Sequence, residues 1–202
     1  MKILTVSVHP DDFCLCAGGT VALHVMRGDE VEVLILSDGE RGGDPETRRE
    51  EAVESAKVLG VQTVKFLGLP DGYVSDSIDT VSRIEDEVNS FKPERVYCNS
   101  YKDRHQDHRN GSLASLSASR RVKEVFMYEG MSAWPSFEPR TFVDITPVIE
   151  LKMKAIAAHK SQEDKYYMRP KSVRGLSEFR GWQAGVRYAE AFEVARLVMR
   201  IE

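Results

Sequence analysis

Short apolar runs alternate with longer amphipathic segments along this chain. KILTVSV at 2–8 and EVEVLILS at 30–37 are rich in β-branched and aliphatic residues, which indicates buried strands. Apolar positions three or four residues apart indicate helices instead, as in 46–60. Strands are predicted at 2–8, 30–37, 61–67, 93–100, 123–129 and 141–146. Helices are predicted from about 20 to 28 and at 46–60, 77–91, 110–120, 147–161 and 188–202.

The alternation of strand and helix has the spacing of β-α-β units. It predicts an α/β fold, a Rossmann-like, doubly wound and mostly parallel sheet with helices on both faces. A length of 202 residues suits one domain, and we expect a single domain over 1–202 because no linker or repeat interrupts the pattern. The segment 162–187 has no clear period and is rich in lysine and arginine, so it is predicted to be a long ordered loop.

Composition narrows the class of protein. A net charge of −4 argues against a partner that is nucleic acid or a membrane surface, because both are acidic. No apolar run approaches the ~20 residues that cross a bilayer, and the first residues lack a signal-peptide pattern, so a cytoplasmic location is expected. Cys14, Cys16 and Cys98 are an odd number without CxxC spacing, which predicts reduced thiols in the core.

Two clusters of histidine and aspartate follow predicted strands. HPDD at 9–12 comes directly after the first strand, and DRHQDH at 103–108 comes a few residues after the fourth. Because the carboxyl ends of parallel strands meet at one edge of a sheet, we expect the two clusters to converge. Pro10 fixes the backbone within the first cluster, so His9 and Asp12 can approach each other.

These clusters contain the ligands that zinc prefers. A catalytic zinc takes three nitrogen or oxygen ligands and keeps one position for water. His9 and Asp12 would supply two ligands and a histidine of HQDH the third. We choose His108, since His105 is then free for proton transfer and Asp107 can hold an imidazole in one tautomer. The same ligands would accept Fe²⁺ or Co²⁺.

The remaining polar groups suggest amide hydrolysis. A metal lowers the pKa of its bound water to roughly 7, and Asp11 stands beside a ligand where it can accept the proton. A protonated His105, favoured by Asp107, would stabilise the oxyanion and protonate the leaving nitrogen. Taken singly, HPDD would also suit a turn that caps a helix, and the second cluster a solvated loop. Their joint position at strand ends favours the metal site.

Motifs along nearly the whole chain resemble the PIG-L/LmbE-like zinc N-deacetylases. They are HPDD, GGT, SDGERGG, RREEAVESAKVLG, LGLPDG, HQDH, HKSQ and RGWQAGVRYAEAF, in that order. The resemblance implies removal of acetyl from an N-acetylglucosaminyl conjugate and the same roles for both clusters. It adds Arg48 and Arg104 as substrate-contacting residues and implies a homo-oligomer such as a trimer or hexamer. The family usually has glutamate where this chain has Phe13 and Cys14, so we expect an intact metal site with an altered substrate fit.

Other interpretations use the same residues. Asp38 is predicted to contact substrate, and it would equally suit the start of a turn. If the protein were a metallophosphoesterase, Asp38 would join Asp12 to hold a second metal. A non-catalytic homologue that binds sugar or metal is the third alternative. His159 is expected to cap a helix end or contact substrate, whereas core packing is favoured for Trp182 over stacking on a sugar. His24 is expected to be structural, and the basic segment 165–187 either solvated or bound to a substrate phosphate or carboxylate.

Overall fold

The fold is a seven-stranded sheet between two layers of helices, seen in a computed structural model that describes residues 1–199. The strand order is β3-β2-β1-β4-β5-β7-β6. The first five strands in sequence run parallel, and β7 is antiparallel to both β5 and β6. The strands are β1 (Lys2–Ser7), β2 (Glu30–Ser37), β3 (Thr63–Leu69), β4 (Arg95–Asn99), β5 (Glu124–Tyr128), β6 (Thr141–Asp144) and β7 (Ala189–Leu197).

Helices cover both faces of the sheet, as predicted for a doubly wound α/β fold. They are α1 (Asp12–Met26), α2 (Pro45–Val58), α3 (Ile78–Phe91), α4 (Gln106–Ala118), α5 (Ile149–Ile156) and α6 (Pro170–Ala184). Successive residues of β1 enter different cores: Ile3 packs with α1, α2 and α5, and Leu4 packs with α3 and α4. This explains why the strand sequence lacks a polar face. Among residues 1–199, none of the helices has the length and apolar character needed to cross a membrane.

Two helices begin earlier than the sequence predicted, and both shifts matter for the site. Helix α1 begins at Asp12 rather than near Thr20, so HPDD lies at its first turn. Helix α4 begins at Gln106 rather than Asn110, with His105 as its N-cap residue. Both histidine–aspartate clusters therefore lie where a parallel strand passes into a helix, which is the usual ligand position in such sheets.

The prediction for the last forty or so residues is wrong. The segment predicted as a loop contains α6, which has Pro170 in its first turn and is followed by the C-cap residue Gly185, with φ of 73°. Most of the segment predicted as a helix forms β7 instead, and 200–202 lie outside the described residues. Trp182 is 78% exposed on α6 rather than packed in the core. All three cysteines are buried and unpaired, as expected.

Candidate functional site

Loops after β1, β2 and β4, with others, line a cavity of about 730 Å³ at the carboxyl edge of the sheet. Both histidine–aspartate clusters contribute to its wall, as do both predicted arginines. The predicted residues that line it are His9, Asp11, Asp12, Arg48, Arg104, His105 and His108. Asp107 and Asp38 are not among the lining residues.

Three atoms that could serve as metal ligands converge at the base of the two clusters. His9 Nδ1 lies 3.1 Å from His108 Nε2, and Asp12 Oδ2 lies 3.7 Å from the first nitrogen and 3.4 Å from the second. A ring nitrogen of His105 also falls within 4.8 Å of the other two histidines. Nδ1 of His105 accepts the backbone N–H of Asp107 at 3.3 Å, which places the proton of the ring on Nε2 and leaves no free lone pair on either nitrogen. Asp12 is therefore the better candidate for a third ligand.

Two further carboxylates face the outer nitrogens of these histidines. Asp71 Oδ1 lies 3.2 Å from His9 Nε2, and Asp103 Oδ2 lies 3.2 Å from His108 Nδ1, although the latter contact is poorly aligned for a hydrogen bond. A carboxylate beside one ring nitrogen places the proton there and leaves the other nitrogen as a lone pair. Two imidazole lone pairs and a carboxylate oxygen then face one another, an arrangement that a cation would stabilise.

The charge balance of the site favours a cation as well. Burial disfavours the charged form of His108, but Asp12 and Asp103 outweigh it and raise the pKa of His108 to about 9. A positive charge is therefore favoured at this imidazole. Either a proton or a metal ion can supply it, and the nitrogen and oxygen donors suit Zn²⁺, Fe²⁺ or Co²⁺.

Asp12 is held in place from two directions. The backbone N–H of His9 donates to its Oδ2 at 2.9 Å, and Asn99 Nδ2 donates to the same oxygen at 3.1 Å. Asn99 is the last residue of β4, and its Oδ1 accepts the N–H of Val8. The amide thus connects two strand ends and orients the carboxylate.

Asp11 is buried and ionised. Burial raises the pKa of Asp11, but Arg48, His159 and His9 together lower it below the ordinary value. Its Oδ1 lies 3.3 Å from Arg48 Nη2, while Oδ2 has no hydrogen-bond partner among the described residues. Arg48 Nη1 donates to the carbonyl of Gly39 at 2.6 Å. Gly39 is required there, since its φ is 68° and a Cβ would overlap the guanidinium.

The surroundings of His105 favour the neutral imidazole over the imidazolium that the sequence predicted. Because its Nδ1 accepts an N–H, its proton resides on Nε2. Burial lowers the pKa of His105, and the neighbouring His108 and His9 lower it further, against a weaker opposite effect of Asp107. The Asp107 carboxylate accepts the Gly72 N–H at 2.6 Å instead of contacting His105.

Several site residues were missed from the sequence. Asp71, Asp103 and Asn99 carry no periodic signal, though Asn99 is the last residue of β4 and the two aspartates follow the ends of β3 and β4. His159, expected at a helix end, is only 1% exposed, and neither ring nitrogen has a partner among the described residues. Asp38 pairs with Arg49 at 2.6 Å outside the lining of the cavity.

The two positions where the sequence departs from its suspected family face the core. Phe13 and Cys14 are fully buried, and neither lines the cavity. Leu15 and Cys16, the next two residues of α1, are the apolar residues of this helix that reach the cavity wall. The departure therefore alters packing beneath the site.

The sequence and the fold of this chain are both similar to those of known proteins. The family model "PIG-L: GlcNAc-PI de-N-acetylase" matches residues 4–119. The uncharacterized deacetylase YaiS of Escherichia coli is 31% identical over 79% of this chain and 90% of its own length. The 4-oxalmesaconate hydratase of Pseudomonas putida is 31% identical over 86% of this chain and 79% of its own. The structure of N,N′-diacetylchitobiose deacetylase from Pyrococcus horikoshii superposes with a TM-score of 0.86 at 26% identity, covering 96% of this chain and 83% of that one.

Proposed function

We propose that this chain, which belongs to the PIG-L family, is a zinc-dependent hydrolase that removes acetyl from an N-acetylated amino sugar, such as an N-acetylglucosaminyl conjugate. The observation that carries the proposal is the convergence of His9 Nδ1, Asp12 Oδ2 and His108 Nε2 within 3.7 Å of one another. Deacetylases among the relatives support the reaction. The cytoplasmic location and the homo-oligomeric assembly remain predictions.

His9, Asp12 and His108 are the proposed metal ligands. Two neutral imidazoles and one carboxylate leave a divalent ion with a net positive charge, as hydrolytic zinc sites require. When bound, such an ion would polarise the acyl oxygen and acidify water. Asp71 and Asp103 would fix the tautomers of the two histidine ligands.

Asp11 is the proposed general base. Its Oδ2 has no hydrogen-bond partner within residues 1–199, and Asp11 lines the cavity beside the proposed ligand Asp12. The lowered pKa of Asp11 keeps the carboxylate ionised at neutral pH, so it is ready to accept a proton. Arg48 would hold the carboxylate in position through its 3.3 Å contact.

His105 is the proposed donor to the acyl oxygen and then to the leaving nitrogen. Its proton is on Nε2, and the ring lines the cavity near both histidine ligands. A neutral imidazole can donate this hydrogen bond to the acyl oxygen without a full charge. To protonate the leaving nitrogen, His105 would first take up the proton that Asp11 removes from water and then pass it to the amine, which would complete cleavage of the C–N bond. Arg104 lines the same wall and is the proposed substrate contact there.

Hydration of a carbon–carbon double bond is the second candidate. The hydratase relative is as similar to this chain as the deacetylase from Escherichia coli. The same base and the same proton donor would serve addition of water to a conjugated double bond. The geometry gives less support to a phosphoesterase with two metal ions. Asp38 would hold the second ion, but it pairs with Arg49 and does not line the cavity.

The proposal is tested by release of free amine from N-acetylglucosamine conjugates, with hydration of an unsaturated dicarboxylate measured in parallel. Asp11→Asn is expected to lower kcat by ~10²-fold or more while leaving the metal content unchanged. Asp86→Asn is the matched control, since Asp86 is an exposed carboxylate on α3. Amine release that persists in the Asp11→Asn protein would show that another residue acts as base.

A further inference from the structure

One small part of the cavity lining is apolar, although the rest of the lining is polar. Leu15 and Cys16 come from α1, and Met131 comes from the loop after β5. The other lining residues in the described part of the chain are charged, polar, glycine or tyrosine. We call Leu15, Cys16 and Met131 the apolar wall. An alkyl group in this cavity would be buried most favourably there, because it would not displace water from a charged side chain.

Two residues of the apolar wall lie one helical turn from the proposed base and the proposed ligand. The backbone N–H of Leu15 donates to the Asp11 carbonyl at 3.0 Å, and Cys16 is four residues after Asp12. Residues three or four apart share one face of a helix, and their side chains lean toward its N-terminus. Leu15 and Cys16 therefore lean toward the reacting centre from the same face of α1.

The third residue of the apolar wall is held on the other side of the metal site. Met131 lies between Gly130 and Ser132, and both neighbours lie against Asp103, the carboxylate that faces His108. A Cβ on Gly130 would come within 2.5 Å of Asp103 Oδ2, so the loop passes this carboxylate closely. Ser132 Oγ donates to the other oxygen, Oδ1. The position of Met131 is thus fixed relative to a proposed metal ligand.

A second, much smaller cavity adjoins the same three residues. It shares the whole apolar wall with the larger cavity, and residues of α5, α6 and β7 complete its lining. Lys152 and Glu190, which form a buried ion pair at 2.7 Å, are among them. Its volume of about 10 Å³ is close to what one water molecule needs, so an alkyl chain does not fit. The apolar wall is therefore a partition, one side chain thick, between two cavities.

We propose that the apolar wall receives the methyl of the N-acetyl group and excludes longer acyl chains. The inference rests on the proposed function and adds the residues that determine its acyl specificity. When the acyl oxygen accepts the Nε2–H of His105, the alkyl part of the acyl group must contact another part of the cavity. The apolar wall can bury it without leaving a polar group unpaired. Further methylenes would collide with side chains that have no space behind them to move into.

Shortening the partition should remove this limit. Met131→Ala deletes the side chain beyond Cβ and joins the small cavity to the large one, which makes room for a propionyl or butyryl group. Cys16→Ala removes only the sulfur, from the opposite side of the wall. It is expected to make room for propionyl alone, and it decides the question if Met131→Ala does not fold.

The test compares three glucosaminides that share one aglycone and differ only in the N-acyl group: acetyl, propionyl or butyryl. For the wild type, kcat/KM for amine release is expected to be roughly tenfold lower with propionyl than with acetyl, and lower again with butyryl. A misfit of one methylene changes specificity by about 10- to 200-fold. The Met131→Ala protein is expected to use all three substrates with similar kcat/KM.

Met153→Ala is the matched control. Like Met131, Met153 is a partly buried methionine that packs against the core cluster of α1, but it lies on α5 and lines neither cavity. This variant should keep the wild-type order of the three substrates.

A second measurement does not depend on turnover. The affinity of zinc-loaded Asp11→Asn protein for the same three amides is measured by titration calorimetry. It is expected to fall as the acyl chain lengthens, and adding Met131→Ala should abolish the fall.

Equal use of the acetyl and butyryl substrates by the wild type would overturn the inference. Full discrimination in Met131→Ala, or the same loss of discrimination in Met153→Ala, would do so too. If no glucosaminide releases amine, the proposed function fails and the affinities alone decide the inference. A dependence on chain length that Met131→Ala removes would support the apolar wall, whereas equal or undetectable binding of the three amides would overturn it.

Discussion

At the scale of residues, two of the three proposed metal ligands could be predicted together because they belong to one local motif. HPDD places His9 and Asp12 three residues apart, and the position of the cluster after a buried strand indicates which edge it joins. The supporting residues were not predictable in this way. Asp71 reaches His9 across 62 residues of sequence, and Asn99 reaches Asp12 across 87, so only the sheet topology brings them together.

Removing the carboxylate that orients His9 should weaken metal binding. The Asp71→Asn variant has no negative charge to accept the His9 Nε2–H. We therefore expect the affinity for Zn²⁺ to fall by roughly 10- to 100-fold. Competition with a chromogenic chelator measures the change. Asp38→Asn serves as the control, since its carboxylate pairs with Arg49 outside the cavity lining. Equal zinc affinity in the Asp71→Asn protein and the wild type would contradict a positioning role for Asp71.

At the scale of elements, two predictions failed for opposite reasons. Helix α6 buries Val173, Ser177 and Gly181, which are four residues apart, but only the first of them is hydrophobic, so the sequence shows no hydrophobic period. A Cβ on Gly181 would meet the Arg187 carbonyl at 2.5 Å, so a larger residue would not fit this contact. A buried face with few large side chains lets backbones approach closely. It also gives no hydrophobic periodicity from which the helix could be predicted.

Strand β7 was not predicted because its sequence contains charged residues. Glu190 and Glu193 are buried within it and pair with Lys152 at 2.7 Å and Lys102 at 2.6 Å. Alanine and glutamate favour helices, yet pairing with β5 and β6 decides the conformation. Helix propensity was overridden here by tertiary contacts that the sequence does not display.

The β2–β3 pair contains a carboxylate that should make stability depend on pH. Glu32 is a buried residue of β2. Burial and the neighbouring Glu87 raise the pKa of Glu32 to about 7, although Lys65 acts in the opposite direction and lowers it. Because the folded protein binds this proton more tightly than the unfolded chain, the Glu32 contribution to stability is lost as pH rises from about 4.5 to about 7. Glu32→Gln is expected to stabilise the protein by on the order of 2 kcal/mol above that range and by far less below it.

Thermal unfolding across this pH range measures the effect. Glu30→Gln is the control, because Glu30 lies on the same strand but is exposed and forms only an exposed pair with Lys2. The gain in melting temperature should grow with pH for Glu32→Gln alone. A gain that is independent of pH would mean that Glu32 titrates normally in the folded protein.

At the scale of the whole molecule, the topology explains how a small amount of sequence builds a site. The loops that follow parallel strands all lie at one edge of the sheet. The loops after β1, β3 and β4, which are far apart in sequence, therefore contribute histidines and carboxylates to one site. The fold class was predictable because strands buried on both faces have a strong signal. The set of exposed side chains at the cavity opening was not predictable, since it depends on how separate loops are brought together.

A metal ion that binds only the folded state should stabilise the entire domain. At zinc concentrations about 100-fold above the dissociation constant, binding adds roughly 2.7 kcal/mol, which for a chain of this size raises Tm by about 5–10 °C. A chelator should remove that increment from the wild type. His108→Ala should unfold at the same temperature with and without chelator, because one of the three proposed ligands is missing.

The control for this experiment is the other buried histidine of a helix, His24. It lies in the last turn of α1, where it contacts Asp29 at 2.7 Å and Tyr97 at 3.0 Å, away from the cavity. His24→Ala also removes a buried imidazole and is expected to lower Tm, yet it should respond to chelator as the wild type does. A chelator response that survives in His108→Ala would place the stabilising ion elsewhere, and the joint binding of one cation by the two strand-end clusters would then be wrong.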